Sequence, residues 1–75
     1  MWATRINLKK IGNVERASKI CEDISKKDKT FKFKIEGKVL TIISEDKDKA
    51  YKRGMIFVKK YLKGMNVGFD VEEMK

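Results

Sequence analysis

Hydrophobic and polar positions along this chain follow two different periods, which divide it into helices and strands. Between Asp46 and Met65 the apolar residues recur at i, i+4, i+7, i+11 and i+14; they are Tyr51, Met55, Val58, Leu62 and Met65. At about 100° per residue they share one helical face with Gly54, Phe57 and Tyr61. The spacing predicts a long amphipathic helix over 46–65 that packs this face on a sheet, with Gly64 as its C-terminal cap.

A shorter helix is predicted from Val14 to about Lys26. Its apolar positions also recur at helical spacing, with Ile20 beside them; they are Val14, Ala17, Cys21 and Ile24. Asn13 is suited to cap the first turn, where Glu15 would favour the helix dipole, as would Lys26-Lys27 at the other end. We therefore expect Cys21 to be a buried structural thiol.

Four further stretches alternate with a period of two, as strands do. The first runs from Trp2 to Leu8, and the last contains Val67, Phe69 and Val71. Between them, residues 31–35 and 39–43 flank the turn Glu36-Gly37-Lys38 and predict a hairpin. The order is thus β-α-β-β-α-β. Because each helix has one apolar stripe, we predict a two-layer α+β sandwich over residues 1–75, with both helices on one face of a small antiparallel or mixed sheet.

The chain is strongly basic, with 19 Lys plus Arg against 11 Asp plus Glu and a formal net charge of +8. Such a charge favours binding to nucleic acid or another polyanion. Six cations fall within an arc of about 120° opposite the apolar face of the long helix, interrupted only by Ile56; they are Lys49, Lys52, Arg53, Lys59, Lys60 and Lys63. No Glu is interleaved to form the usual i,i+4 pairs. A solvated face is the alternative, but a single sign of charge favours RNA contacts.

The sequence allows two roles for several lysine, glycine and aromatic residues. Lys32 and Lys34 point away from Phe31 and Phe33, either as further RNA contacts or as a solvated outer face. Gly54 costs roughly 1 kcal/mol inside a helix relative to Ala, which indicates close approach to the sheet or to a sugar-phosphate backbone. The long helix has three aromatic residues, Tyr51, Phe57 and Tyr61. They either pack in the core or stack on bases, and their position on the apolar face favours the core.

The composition excludes several kinds of chemistry. The chain has no His, which rules out imidazole metal sites and His-based catalysis. Three acidic pairs are sequence neighbours whose side chains point apart: Glu22-Asp23, Glu45-Asp46 and Glu72-Glu73. None is an evident acid/base pair, so we expect no enzyme, cofactor or small-molecule substrate. A single Cys argues against a secreted disulfide scaffold, and the apolar run Val39–Ile43 is far too short to span a membrane. We expect a cytoplasmic protein without membrane association.

Two segments, VLTIISE and FVKKYLKG, resemble a known family, ribosomal protein twenty-two of the eukaryotic-type large subunit, in a shortened form. The run Lys59–Lys63 matches the signature of its basic helix, and KIEGKVLTIISE is similar to its hairpin. The loops of that family are longer, its C-terminal region continues further, and Lys52-Arg53 lies one residue out of register with its basic pair.

The chain also resembles ribosomal protein thirty-eight of the same subunit, whose length is closer. The matching segments are 32–35, 46–50 and the ending 71–75, although the Pro pair that follows the second helix of that family is missing here. Both resemblances imply a structural constituent of the large ribosomal subunit, with ribosomal RNA and neighbouring ribosomal proteins as partners. The alternative is a non-ribosomal assembly subunit that docks through a sheet edge or an apolar helix face.

Overall fold

Two helices lie on one face of a four-stranded sheet in the computed structural model, which describes residues 1–74. The elements in chain order are β1 (Trp2–Asn7), α1 (Ile11–Lys27), β2 (Lys32–Glu36), β3 (Val39–Ser44), α2 (Lys47–Ile56), a π-helical continuation of α2 that we call the π segment (Phe57–Tyr61), and β4 (Phe69–Glu73). The predicted order and the two-layer α+β class are confirmed. Lys75, the last residue of the ending that resembles protein thirty-eight, lies outside the described residues.

The strands are arranged in the order β2-β3-β1-β4, and every neighbouring pair is antiparallel. This is the split β-α-β arrangement of ferredoxin-like domains, in which each helix connects two strands separated by a third. β1 is central, so Ile6 pairs with Leu40 on one side and Phe69 on the other. β2 and β4 form the two edges.

A buried hydrogen bond identifies the face of the sheet that the helices cover. The Thr4 hydroxyl donates to the Ala50 carbonyl of α2 at 2.8 Å. Trp2 and Ile6, which lie two residues from Thr4 on β1, therefore also face the helices, whereas Ala3 and Arg5 face away. The core between the layers is apolar and consists of Ile6, Leu8, Ala17, Cys21, Phe31, Leu40, Ile42, Phe57, Leu62 and Val67.

The predicted hairpin of β2 and β3 is present, with Lys32 opposite Ile43 and Glu36 opposite Val39. Gly37 lies at its tip with a φ of 59°, a left-handed conformation that glycine adopts without a Cβ clash. β4 starts at Phe69, whereas the alternation predicts a strand that already includes Val67.

α1 begins three residues earlier than predicted, at Ile11, with Lys10 as its N-cap. Asn13 is therefore not the cap; its side-chain amide instead donates to the Leu8 carbonyl at 2.7 Å and ties the helix to the end of β1. Because of the earlier start, Glu15 lies beyond the first turn, which contains no acidic residue. Lys26 and Lys27 do lie in the last turn, as predicted.

The face that α2 turns towards the sheet differs from the predicted one. Ala50 and Gly54 are buried, whereas Tyr51 and Met55 are 46% and 42% exposed. A Cβ placed on Gly54 would lie 2.5 Å from the Phe69 ring, so α2 lies too close to β4 for larger side chains. The prediction that Tyr51 and Met55 point inward is wrong, and the prediction that Gly54 permits close approach to the sheet is confirmed.

The π segment explains why Phe57 and Leu62, in the second half of the predicted helix, point into the core. The Leu62 amide donates to the Phe57 carbonyl five residues earlier, at 2.7 Å. The wider turn brings Leu62 above Phe57, and both side chains are buried. The helix ends at Tyr61 instead of Met65, and Gly64 takes a φ of 89° in the loop that follows.

Cys21 is fully buried, and this burial raises the pKa of its thiol from 9.0 to about 12. We expect Cys21 to resist thiol reagents in the native protein at mildly alkaline pH and to react at once in denaturant. Since the thiolate forms more readily in the unfolded chain, stability should fall as the pH rises above 9.0 towards 12. Labelling followed by mass spectrometry checks the first point, and rapid modification of the native protein would contradict the burial.

Candidate nucleic-acid interface

The face of the sheet opposite the helices, here the open face, carries balanced charge. Three cations and three anions lie on it: Arg5, Lys32 and Lys34 with Glu36, Asp70 and Glu72. Arg5 pairs with Glu72, and Lys34 Nζ lies 2.8 Å from Glu36 Oε1. The hydrogen bond from Lys34 also lowers the pKa of Glu36. The open face around Lys34 therefore has no excess of positive charge, in contrast to the prediction.

The open face also lacks the means to stack bases. RNA recognition motifs bind through aromatic side chains on the exposed face of a four-stranded sheet. Within residues 1–74 no aromatic side chain lies on that face. Phe31 and Phe57 stack on each other in the core, with ring centroids 6.1 Å apart. Phe57 is therefore a core residue, as the sequence favoured.

Several predicted cations converge at one end of the sheet, around a pocket of about 340 Å³ that we call the edge pocket. Lys32 comes from β2, whereas Lys49 and Arg53 come from successive turns of α2. Lys29, which the sequence analysis did not single out, adds a fourth cation from the loop before β2, and Glu45 is the acidic residue in the lining. The end of β3 brings these segments together, so the cluster arises from tertiary structure.

Arg53 is the least exposed of these cations, with 22% of its side chain accessible. Its Nη1 donates to the Ile43 carbonyl at 3.2 Å and to the Ser44 hydroxyl at 3.3 Å. The guanidinium also lies 5.5 Å from the centre of the Phe31 ring and 4.0 Å from Asp28 Oδ2. Arg53 therefore joins α2 to the end of β3 and forms one wall of the edge pocket.

Asp28 is held in place beside Arg53 by its own hydrogen bonds. The Thr30 hydroxyl donates to Asp28 Oδ1 at 2.6 Å and the Thr30 amide donates at 2.9 Å. These bonds, more than the neighbouring Arg53 and Lys49, lower the pKa of Asp28. The carboxylate stays ionised and offsets part of the positive charge at this end.

The remaining predicted cations lie along the exposed side of the second helix and beyond it. Lys52, Lys59 and Lys60 are exposed, and Lys60 Nζ lies 5.7 Å from the centre of the Tyr61 ring. Tyr61 is half-buried, while the exposed Tyr51 packs edge-on against Phe69. A straight α-helix would place Lys59 and Lys60 on the same side as Lys49 and Arg53. The π segment changes the rotation per residue, so these two lysines do not continue that row.

Lys63 belongs to a separate groove of about 430 Å³, the basic groove, at the other end of β1. Its other cations are Lys9, Lys10 and Arg16. Sequence periodicity could not detect this cluster because its members belong to three different segments. The adjacent pair Lys9-Lys10 before a helix was the only local signal.

The part of the chain that the structure describes holds no group of three or more His, Cys, Asp or Glu side chains that could bind a metal ion. In the same residues, no helix is long and apolar enough to cross a membrane.

Comparison with known proteins returns no match to a protein-family model, a curated protein or a solved structure. The resemblance to ribosomal proteins twenty-two and thirty-eight therefore stays a prediction from the residues quoted above.

Proposed function

We propose that this chain is a structural constituent of the large ribosomal subunit in the cytoplasm, where it binds ribosomal RNA beside neighbouring ribosomal proteins. The observation that supports this most directly is the convergence of Lys29, Lys32, Lys49 and Arg53 around the edge pocket. The exposed Lys52, Lys59 and Lys60 extend the basic surface along the same helix. The segments similar to the two ribosomal families support the same function.

The binding would act through phosphates more than through bases. Lysine side chains provide flexible point charges, and such contacts orient a protein on RNA without reading its sequence. The open face offers no aromatic residue for stacking in the described part of the chain, and Phe57 is buried. We therefore assign this protein a role in neutralising phosphates and holding RNA helices in place, without catalysis.

The edge pocket gives the main test. An edge-pocket variant with Lys29→Gln, Lys32→Gln and Lys49→Gln should bind RNA more weakly, and similarly for different RNA sequences. Each lost phosphate contact should flatten the plot of log affinity against log salt by about 0.7–0.9 units. Fluorescence anisotropy with a labelled RNA hairpin measures both quantities, and circular dichroism checks that the fold is retained.

A control variant with the same loss of charge separates a site from simple attraction. Lys19, Lys26 and Lys27 are exposed on α1 and line neither the edge pocket nor the basic groove. Replacing these three by Gln should change the salt dependence less than the edge-pocket variant does. If both variants change the salt dependence equally, RNA is attracted by net charge alone; if neither changes it, the basic surface is merely solvated. Either result would show that the proposed RNA binding at the edge pocket is wrong.

A second candidate function is that of a non-ribosomal assembly subunit that docks on another protein. The observation in its favour is the apolar surface that α2 leaves uncovered, with Tyr51 and Met55 exposed beside Phe69 at the β4 edge. Binding through such a surface would depend little on salt, unlike phosphate binding. Met55→Gln should weaken that binding and, since it adds no charge, leave RNA affinity unchanged.

A further inference from the structure

The basic groove combines cations from three segments that lie far apart in the sequence. Lys9 and Lys10 follow β1, Arg16 lies on α1, and Lys63 follows the π segment. No acidic residue lines the groove, in contrast to Glu45 in the edge pocket. Within residues 1–74, none of the four cations forms an ion pair. Their mutual repulsion is therefore not offset by an ion pair.

Hydrogen bonds hold the two loops of the groove together. Lys9 has a φ of 67°, and its amide donates to the Asn7 side chain at 3.1 Å. Its Nζ donates to the Asn66 carbonyl at 3.1 Å, which joins the β1–α1 loop to the loop before β4. The positive charges are thus brought together before any ligand binds, and less conformational entropy is lost on binding.

The first turn of α1 strengthens the positive potential of the groove. Lys10 is the N-cap, no side chain caps the helix, and the first turn contains no acidic residue. Helix N-termini carry partial positive charge that favours anions. The four side-chain cations remain the main source of the field.

The basic groove and the edge pocket lie at opposite ends of β1. The strand starts at Trp2, which pairs with Ser44 of the edge pocket, and ends at Asn7, next to Lys9. Six residues of strand span about 20 Å. Two cation clusters at this separation on one small domain fit a polymer of phosphates better than a small anion, which could occupy only one of them.

From these observations we infer that the basic groove is a second phosphate-binding site, which holds the backbone of the same RNA molecule that contacts the edge pocket. The inference rests on the proposed function and deepens it, since it adds Lys9, Lys10 and Arg16 to the interface and assigns Lys63 to this end. The protein would then contact two stretches of RNA backbone about 20 Å apart.

The test uses a groove variant of the full chain with Lys10→Gln, Arg16→Gln and Lys63→Gln. Its plot of log affinity against log salt for the labelled RNA hairpin should be flatter than that of the unmodified protein by about 2 units. The variant with Lys19→Gln, Lys26→Gln and Lys27→Gln is the matched control. A charge-preserving variant with Lys10→Arg, Arg16→Lys and Lys63→Arg should keep the original slope.

Different outcomes separate failure of the inference from failure of the proposed function. If the edge-pocket variant loses binding but the groove variant behaves like the control, the groove is not an RNA site while the proposed function stands. If the unmodified protein shows no salt-dependent RNA binding, both are wrong. If both variants flatten the plot beyond the control, both are supported.

A second measurement distinguishes a polymer from a small anion. Gly12 lines the groove, so the signal of its amide in a nitrogen–proton correlation spectrum should shift when the RNA hairpin is added. Inorganic phosphate and uridine monophosphate are the probes for the alternative. Saturable shifts with either probe that equal those with the hairpin would show a small-anion site and overturn the inference, whereas weak, unsaturated shifts support it.

Discussion

Replacing Leu62 by Ala should lower the free energy of unfolding by about 2–5 kcal/mol. Leu62 is 1% exposed and lies in the core cluster with Phe57, whose carbonyl accepts its amide proton across the π turn. Truncation would leave a cavity beneath the π segment, whose cost adds to the lost burial of the side chain. Small domains have total stabilities of roughly 5–15 kcal/mol, so this one substitution could remove a large part of the stability.

Urea unfolding followed by circular dichroism measures the change, with Met55→Ala as the matched control. The sequence pattern placed Leu62 and Met55 on the same inward face, whereas in the structure Met55 is 42% exposed. Met55→Ala should therefore change stability by no more than about 0.5 kcal/mol. Equal losses in the two variants would show that α2 packs with the face predicted from the sequence.

The strands and the hairpin could be predicted because their signals are local. Alternation with a period of two assigns each residue to one face, and a short turn with Gly37 fixes the register of β2 against β3. The strand order β2-β3-β1-β4 could not be read in the same way, since pairing between β1 and β3 depends on contacts distant in sequence.

The face of α2 was predicted wrongly for a physical reason. A constant 100° per residue was assumed over 46–65, but the π segment adds a residue to one turn and changes the phase between the two halves. The inward positions of the first half are Ala50 and Gly54, which contribute little to a hydrophobic pattern. Their small size lets the helix approach β4, and that requirement outweighs the burial of Tyr51 and Met55.

At the start of α1, Asn13 has a different role from the helix cap that its residue type suggests. Asn13 is a common N-cap residue, but here its amide group bonds to the end of β1 instead. The helix gains one turn without a side-chain cap. That extra turn brings the start of α1 beside Lys9 and Lys63 in the basic groove.

The candidate interface was only partly accessible from the sequence. Helical periodicity correctly placed Lys49, Lys52, Lys59, Lys60 and Lys63 at the surface. It could not show that Arg53 bonds to the end of β3, or that Lys34 pairs with Glu36 on the open face. Lys29, Lys9, Lys10 and Arg16 join cation clusters only because the fold brings distant segments together, and no periodic pattern contains that information.

Replacing Gly54 by Ala should destabilise the protein by about 1–3 kcal/mol, although Ala normally stabilises a helix by roughly 1 kcal/mol relative to Gly. The new Cβ would meet Phe69 Cδ2 at 2.5 Å, Cε2 at 2.6 Å and Cγ at 2.9 Å. The clash includes Cγ, so rotation of the ring about its own axis cannot relieve it. Tyr51 packs edge-on against the same ring and restricts its movement outward. Either α2 or β4 must shift, which would disturb the contacts of Ala50 and Thr4 as well.

A double-mutant cycle with Phe69→Ala tests whether the ring causes this effect. Alanine lacks Cγ, Cδ2 and Cε2, the three ring atoms that a Cβ on Gly54 would contact. In that background Gly54→Ala should become stabilising by up to about 1 kcal/mol, because only the gain in helix propensity remains. The sign of the effect should therefore reverse, as measured by urea unfolding of all four proteins. If Gly54→Ala has the same effect in both backgrounds, the close packing of α2 against Phe69 is wrong, and Gly54 would have to be explained by the alternative role as a point of contact with the RNA backbone.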